Sequence, residues 1–375
     1  MPDLKNRNRL FYIGSRPNDE TTGGAKYMNE VLDYLDSHFS LIILNPEEER
    51  FFKERVNILN LGSIKAQFLS NLWAIRKLKE IGKSEIIIMN SYLRHRFLFF
   101  ALWARSIKKC QLVIFVNAIY HYSLRSGFLN RLDKIITRIL LNQAVLVIAN
   151  SNATKEELIN LGVKPDKFEV IYPRLDMPPE VDLPGKEKEN GIFDILFVGY
   201  CEPFKELHVL IRAIGRLKDL PVCLHIVGEN KGEPEYMDML RDLIADLGLE
   251  DKVIFHGRLE KAELSTWFKR ADLFVSPSRG EGYGRALAEA MYFGLPVIGA
   301  DKGASKELIE HGINGFLFES GNDESLATFI FNQYKDESLR QQFGKTGKEL
   351  IKNKANFKRN IGKQFFNILQ KYSLL

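Results

Sequence analysis

Two glutamates eight residues apart, Glu281 and Glu289, frame the segment with the most chemical potential, SPSRGEGYGRALAEA (Ser276–Ala290). An apolar run ends at Pro277, a loop carrying Gly280, Gly282 and Gly284 follows, and a helix is expected to begin near Tyr283. Backbone N–H groups at a helix start are unpaired and carry partial positive charge, so they suit a phosphate. The glycines let backbone approach a ligand closely. Glu281 in the loop and Glu289 in the helix could accept hydrogen bonds from separate hydroxyl groups, as on a sugar and a ribose. A tight turn flanked by surface glutamates accounts for the same residues, because glycine-rich loops are common to many sites.

The elements that must position this loop read as alternating short apolar runs and helical patterns. The runs are Leu10–Gly14, Leu41–Asn45, Glu85–Asn90, Gln111–Asn117, Ala144–Asn150 and Phe168–Tyr172, then Phe193–Gly199, Cys223–Gly228, Lys252–Gly257, Asp272–Pro277, Pro296–Ala300 and Gly315–Phe318. They are rich in Ile, Val, Leu and Phe without polar alternation, as strands buried on both faces of a parallel sheet are. Helical stretches between most of them predict βαβ units. Between Pro173 and Phe193 the chain reads PRLDMPPEVDLPGKEKENGIF, a poor strand and a poor helix. It is expected to link two doubly wound domains, residues 1–175 and 176–357, with a last helix over 358–375 packing back on the first. A ligand would lie beyond the carboxyl ends of the strands, in the cleft between the domains.

The chain has 375 residues, 45% hydrophobic and 27% charged, which excludes disorder as its main state and supports two sizeable cores. Three cysteines without a CxxC spacing argue against a disulfide framework or zinc site and suit a reducing cytoplasm. The opening MPDLKNRNRL has no apolar core of a signal peptide, and the longest strongly apolar run, Phe97–Ala104, is far short of the roughly 20 residues of a spanning helix. The net charge of +5 is concentrated in Arg340–Leu375, which holds nine Lys/Arg and one acid, Glu349. That stretch is either a solvated helical face or a basic surface for acidic partners. Arg94–Lys109, RHRFLFFALWARSIKK, combines five Arg/Lys with Phe97, Phe99, Phe100 and Trp103. It reads as a buried helix between strands or as a basic amphipathic helix on anionic lipid, and Tyr122–Leu141 is a second stretch of that kind. No nucleic-acid motif is present.

Pro277–Ile298, PSRGEGYGRALAEAMYFGLPVI, resembles the Glu-x7-Glu signature of the retaining glycosyltransferases of family 4, which have the two-domain GT-B fold. The resemblance extends to VIANSNATKEELINLGVKPDKFEVIYP (Val147–Pro173), ILFVGYCEPFKELHVLIRA (Ile195–Ala213), LHIVGEN, VIFHGRL, GADKGASKELI and, near the N-terminus, TTGGAKYM (Thr21–Met28). It implies two Rossmann-like domains: an acceptor-side domain and a domain for the nucleotide sugar, a UDP- or GDP-sugar. In that pattern Glu289 would hold the ribose. Glu281, with the backbone of Gly282, Tyr283 and Gly284, would hold the donor sugar. Lys205, after Gly199, would neutralise the diphosphate as a point charge. Gly257 and Arg258, in the loop following His256, would lie against the nucleobase, and Gly23 and Gly24 would let the first domain approach the diphosphate or the acceptor. A solvated lysine, simple turns and a structural His256 are the plainer alternatives.

Three departures from the pattern bear on donor binding. Tyr200 replaces an arginine, Glu206 replaces a glycine and puts an acid next to Lys205, and Asn117 stands where a histidine is usual, with His121 four residues on. A missing charge-assisted contact is worth about 1.5–3 kcal/mol. Arg285 or Arg174 could replace it, or serve as surface arginines. The resemblance implies a metal-independent, retaining transfer to a glycan or lipid-linked glycan in envelope or polysaccharide assembly, by a cytoplasmic protein that touches the inner face of the membrane. The sequence has no Asp-x-Asp motif. The departures leave open a catalytically silent protein of the same fold that binds glycan or protein partners.

Overall fold

The structure is a computed structural model that describes residues 9–13, 23–38, 40–44, 85–90, 105–106, 109–117, 128–175, 191–230, 234–353 and 360–375. The chain divides into two compact units, Met1–Arg174 with Lys358–Leu375, and Leu175–Phe357.

The first unit is built on six parallel strands: β1 (Arg9–Ile13), β2 (Ser40–Leu44), β3 (Ile86–Asn90), β4 (Gln111–Val116), β5 (Leu146–Ala149) and β6 (Phe168–Val170), in the order β2-β1-β3-β4-β5-β6. Its helices include α1 (Gly23–His38), α2 (Phe128–Gln143) and α3 (Asn152–Asn160). Buried Leu112–Val116 and Leu146–Ala149 explain the unbroken apolar runs, since neither face of those strands meets water. In α1, Tyr27, Met28, Val31, Leu32 and Leu35 are buried, the 3.6-residue stripe that seats a helix on a sheet.

The second unit repeats the plan. It contains β7 (Phe193–Val198), α4 (Leu207–Arg216), β8 (Val222–Val227), α5 (Pro234–Leu247), β9 (Val253–Gly257) and α6 (Lys261–Arg270). Next come β10 (Leu273–Ser276), α7 (Arg285–Phe293), β11 (Val297–Ala300), α8 (Ser305–Leu308), β12 (Phe316–Phe318), α9 (Asp323–Lys335) and α10 (Glu337–Asn353). The strands are parallel in the order β12-β11-β10-β7-β8-β9. Strands β7 to β9 wind one way and β10 to β12 the other, so the sheet reverses direction between β7 and β10.

After α10 the chain returns to the first unit as α11 (Ile361–Lys371), where Ile361, Phe365 and Leu369 enter its core. Phe365 meets Phe115 edge-on with ring centroids 4.9 Å apart, and Gly362 lies so close to Tyr34 that a Cβ would come within 2.1 Å of that residue's Cβ. Lys371 Nζ pairs with Glu169 Oε1 at 2.6 Å, and the Tyr372 hydroxyl donates to the same oxygen at 3.1 Å.

All twelve apolar runs form strands, and both sheets are doubly wound. Two local expectations are corrected. The helix after the glycine loop begins at Arg285 rather than near Tyr283, because Gly284 takes a left-handed conformation (φ 75°) that helical residues do not adopt. Gly23 and Gly24, in a segment whose resemblance implies a glycine-rich acceptor-side loop, open α1. The described part of the cationic stretch Arg340–Leu375 lies on α10 and α11, in different units. Of Arg94–Lys109, only Arg105, Ser106 and Lys109 lie within the described residues, as do only the ends of the linker; His121 lies outside them. Among the described residues no helix is long and apolar enough to cross a membrane.

Candidate functional site

At the reversal point of the second sheet, the loop after β7 meets the loop after β10. The first ends in a single 3-10 turn, Pro203–Lys205, and the second carries Arg279, Gly280 and Glu281. Lys205 Nζ forms an ion pair with Glu281 Oε2; the two side chains are 13% and 19% exposed. Arg279 N donates to Phe204 O at 3.0 Å, so backbone and side chains join the same two loops.

Glu281 is also held from a third side. Its carbonyl accepts Ala304 N at 2.9 Å, and Gly303 (φ 55°) approaches so closely that a Cβ there would be 2.5 Å from that carbonyl oxygen. Gly282, Tyr283 and Gly284 are buried between β10 and α7, while Arg285 opens α7 half-buried and Glu289 lies one turn later, also half-buried. Gly284 stands at the N-cap of α7 and brings no side chain to cap its first-turn N–H groups.

Glycines end the neighbouring strands. Gly199 N donates to Val227 O at 2.9 Å and Gly228 N to Gly257 O at 2.8 Å, so the ends of β7, β8 and β9 are stitched side by side. Arg258 Nη1 stands 3.6 Å from Glu229 Oε1. The His256 side chain turns away into a polar stack: it shares a 3.0 Å hydrogen bond with His225 Nδ1, and His225 Nε2 reaches Asp194 Oδ1 at 3.1 Å. Trp267 covers both rings, with centroids 4.3 and 4.5 Å away. His256 is thus a structural histidine whose pKa burial, reinforced by His225, pushes down.

Glu206, an acid expected to sit against Lys205, does not. Its backbone is left-handed (φ 51°, ψ 37°), the conformation glycine takes most easily, and its carboxylate is 1% exposed. The carboxylate accepts Arg279 Nε at 2.8 Å, pairs with Arg279 Nη2, and accepts the Ser320 hydroxyl at 3.1 Å. Sequence reasoning missed Arg279 and Ser320; the glutamate in a glycine's place was the one signal that a partner was needed.

In the first unit, Asn117 follows β4 at the carboxyl edge of the sheet. The residue is 6% exposed, and neither Oδ1 nor Nδ2 has a hydrogen-bond partner among the described residues. Its carbonyl accepts Asn150 Nδ2, while Asn150 Oδ1 accepts the Thr154 hydroxyl at 2.9 Å and Ser151 caps α3 through Thr154 N at 3.0 Å. Gly23 and Gly24 stand at the start of α1, after β1. The structure therefore groups Lys205, Glu281, Gly282 and Gly284 in one loop cluster of the second unit, with Gly199, Gly257 and Arg258 along the adjoining strand ends. Asn117, Gly23 and Gly24 belong to the first unit.

Comparison with known proteins gives two family matches that divide the chain between them: Glycosyltransferase Family 4 over residues 21–177 and Glycosyl transferases group 1 over residues 182–350. An uncharacterized glycosyltransferase of Methanocaldococcus jannaschii is 32% identical over 59% of this chain and 59% of its own length. A D-inositol 3-phosphate glycosyltransferase of Pseudarthrobacter chlorophenolicus is 29% identical over 55% of this chain and 51% of its own. An N-acetyl-alpha-D-glucosaminyl L-malate synthase of Bacillus anthracis is 29% identical over 58% and 57%. The chain thus spans little more than half the length of these relatives. Among solved structures, Anabaena HepE in complex with UDP-glucose has a TM-score of 0.72 at 21% identity, covering 97% of this chain and 99% of that one. Sucrose-phosphate synthase from Thermosynechococcus elongatus has a TM-score of 0.71 at 16% identity, covering 97% and 99%. The paired doubly wound units, the glycine loop with its two glutamates and the two matched models together place the chain in glycosyltransferase family 4, with the GT-B fold.

Proposed function

We propose that the chain is a retaining glycosyltransferase that moves a sugar from a nucleotide-diphosphate donor, a UDP- or GDP-sugar, to a glycan or lipid-linked glycan. The observation that carries this reading is the convergence of Lys205, Glu281 and the start of α7 at the reversal point between β7 and β10. Ligands of doubly wound sheets bind beyond the carboxyl ends of the strands at such a reversal point. The lysine and the helix N–H groups supply fixed positive potential where a leaving diphosphate gains charge. Glu281 and Glu289 accept hydroxyl hydrogen bonds from sugar and ribose. Gly257 and Arg258 take the base, and Gly199 admits the phosphates. Asn117, a buried amide with its hydrogen bonds unmade among the described residues, together with Gly23 and Gly24, is assigned to the binding of donor or acceptor. HepE was crystallised with UDP and with UDP-glucose, which supports a nucleotide sugar as donor.

The test is thermal unfolding of the protein with UDP, GDP, ADP and TDP. A nucleotide at 100 times its dissociation constant adds about 2.7 kcal/mol. One base should raise the unfolding temperature, and Glu289→Ala should abolish the rise. Glu281→Ala should lose turnover; a silent glycan-binding protein would instead show no nucleotide effect. NMR of the product anomer checks retention, and turnover in excess EDTA checks metal independence.

The acceptor surface is proposed to include an anionic membrane. On α2, Ile135 and Ile139 are 47% and 39% exposed, and Arg131, Lys134 and Arg138 are exposed beside them. Such a face lies in the headgroup region with its apolar residues inward and its cations on lipid phosphates. Co-sedimentation with vesicles containing phosphatidylglycerol, and not with phosphatidylcholine alone, is the expected result, weakened by Ile135→Ser with Ile139→Ser. Binding indifferent to anionic lipid rejects this part.

A further inference from the structure

Glu206 combines two features that each call for a reason. Among the described residues of the second unit it is the one non-glycine with a left-handed backbone, a conformation that side chains rarely adopt. Its carboxylate is nonetheless buried and fully partnered, by two donors of Arg279 and the Ser320 hydroxyl. Two-point guanidinium contacts fix geometry as well as charge. The local backbone is ordered around it: Glu206 N donates to Pro203 O at 3.1 Å and Val209 N to Glu206 O at 2.9 Å.

The result is a crossed pairing of two short segments. Lys205 pairs with Glu281, and its neighbour Glu206 pairs with Arg279, two residues before Glu281. Ser320, just after β12, ties a third loop to the same carboxylate. Removing Arg279 would leave a buried acid beside Lys205, and the Lys205 ammonium would be drawn to it and away from an anion.

We propose that Glu206 is a positioning residue which, through Arg279, holds Lys205 and Glu281 in register for the donor diphosphate and keeps Lys205 from being neutralised by its own neighbour. This rests on the nucleotide-donor reading above. The departure from glycine is then a device of this chain and not a defect of its site.

The test is calorimetric titration of UDP, GDP, ADP and TDP into the wild type, Glu206→Gly, Glu206→Gln, Arg279→Ala and the Glu206→Gly/Arg279→Ala double variant. Donor KM and kcat follow with the matching sugar nucleotide. Glu206→Gly should weaken nucleotide binding and raise donor KM about tenfold, with kcat changed less than about threefold. Arg279→Ala should be worse, and the double variant should recover relative to it, because the stranded acid is gone. Glu206→Gln, whose one amide oxygen can still accept both Arg279 donors while its NH2 faces Ser320 Oγ and its charge is lost, should fall between wild type and Glu206→Gly. Circular dichroism establishes folding; if the glycine variant does not fold, the cycle is run with Glu206→Gln. Wild type that binds a nucleotide, with folded variants binding it equally or additively, overturns the positioning role alone. Wild type that binds none of the four overturns the donor reading and this proposal together.

Discussion

Lys205 and Glu206 are adjacent, opposite in charge, and paired with other residues. From the sequence alone the acid looks like a weakness of the lysine; in the folded chain its carboxylate belongs to Arg279 and Ser320. Sequence marks which ionisable groups are present, but the side chains of adjacent residues can face different partners, and only backbone conformation decides which. The histidines give a residue-scale prediction. His256 is pushed below its ordinary value by burial and by His225. His208 is pushed down by burial, opposed by Glu206 and reinforced by Arg212 and Arg279. Both favour the neutral form when folded, so the unfolded chain binds protons more readily once the pH drops below 6.5. Their contribution is complete above that value and is lost as the pH falls through the depressed pKa values. Urea midpoints should therefore be lower at about pH 5 than at about pH 7.5. His256→Asn should shrink that difference, and an unchanged difference would show that His256 does not contribute.

At the scale of elements, the strand ends do the positioning. Parallel strands put all their carboxyl ends on one edge, so β7, β8, β9 and β10 deliver Gly199, Gly228, Gly257 and the glycine loop to neighbouring places without any sequence proximity. The close passage of two of these ends is measurable: a Cβ on Gly228 (φ 148°) would lie 2.0 Å from the carbonyl oxygen of Gly199. Gly228→Ala should cost upward of about 2 kcal/mol in urea unfolding, since the backbone itself must move. Gly191→Ala is the control: it also has positive φ (65°) but meets nothing within 4 Å, and should cost about 1 kcal/mol. Equal losses would mean that φ strain and not the close approach dominates at Gly228. The apolar runs made the strands legible because burial on both faces leaves no polar alternation. The helix start after the glycine loop was misplaced by two residues because one left-handed glycine ends a turn that composition cannot show.

For the molecule as a whole, the chain leaves the first unit at Arg174 and rejoins it at Lys358. The last helix completes a core begun more than three hundred residues earlier, with Phe365 against Phe115 and Ile361 and Leu369 beside it. Phe365→Ala removes a fully buried ring and should destabilise the first unit by about 3–5 kcal/mol. Hydrogen exchange should then rise in peptides of β1, β3 and β4 and stay unchanged in β7 to β12. A rise spread evenly over both sheets would show that the two units unfold as one.

The sequence by itself determined the strands and the doubly wound sheets, because strands buried on both faces leave unbroken apolar runs, and the resemblance of its motifs pointed to the family. Spacing singled out Glu281 and Glu289 as groups able to meet hydroxyls of a sugar and a ribose, and the resemblance added Lys205. Only the tertiary structure decided that Lys205 and Glu281, 76 residues apart, are paired across the reversal point, and that Glu206 is clasped by Arg279. It alone left the amide of Asn117 buried with its bonds unmade among the described residues. Those facts depend on which strand ends lie side by side and where each backbone turns, and no local pattern of residue types encodes either.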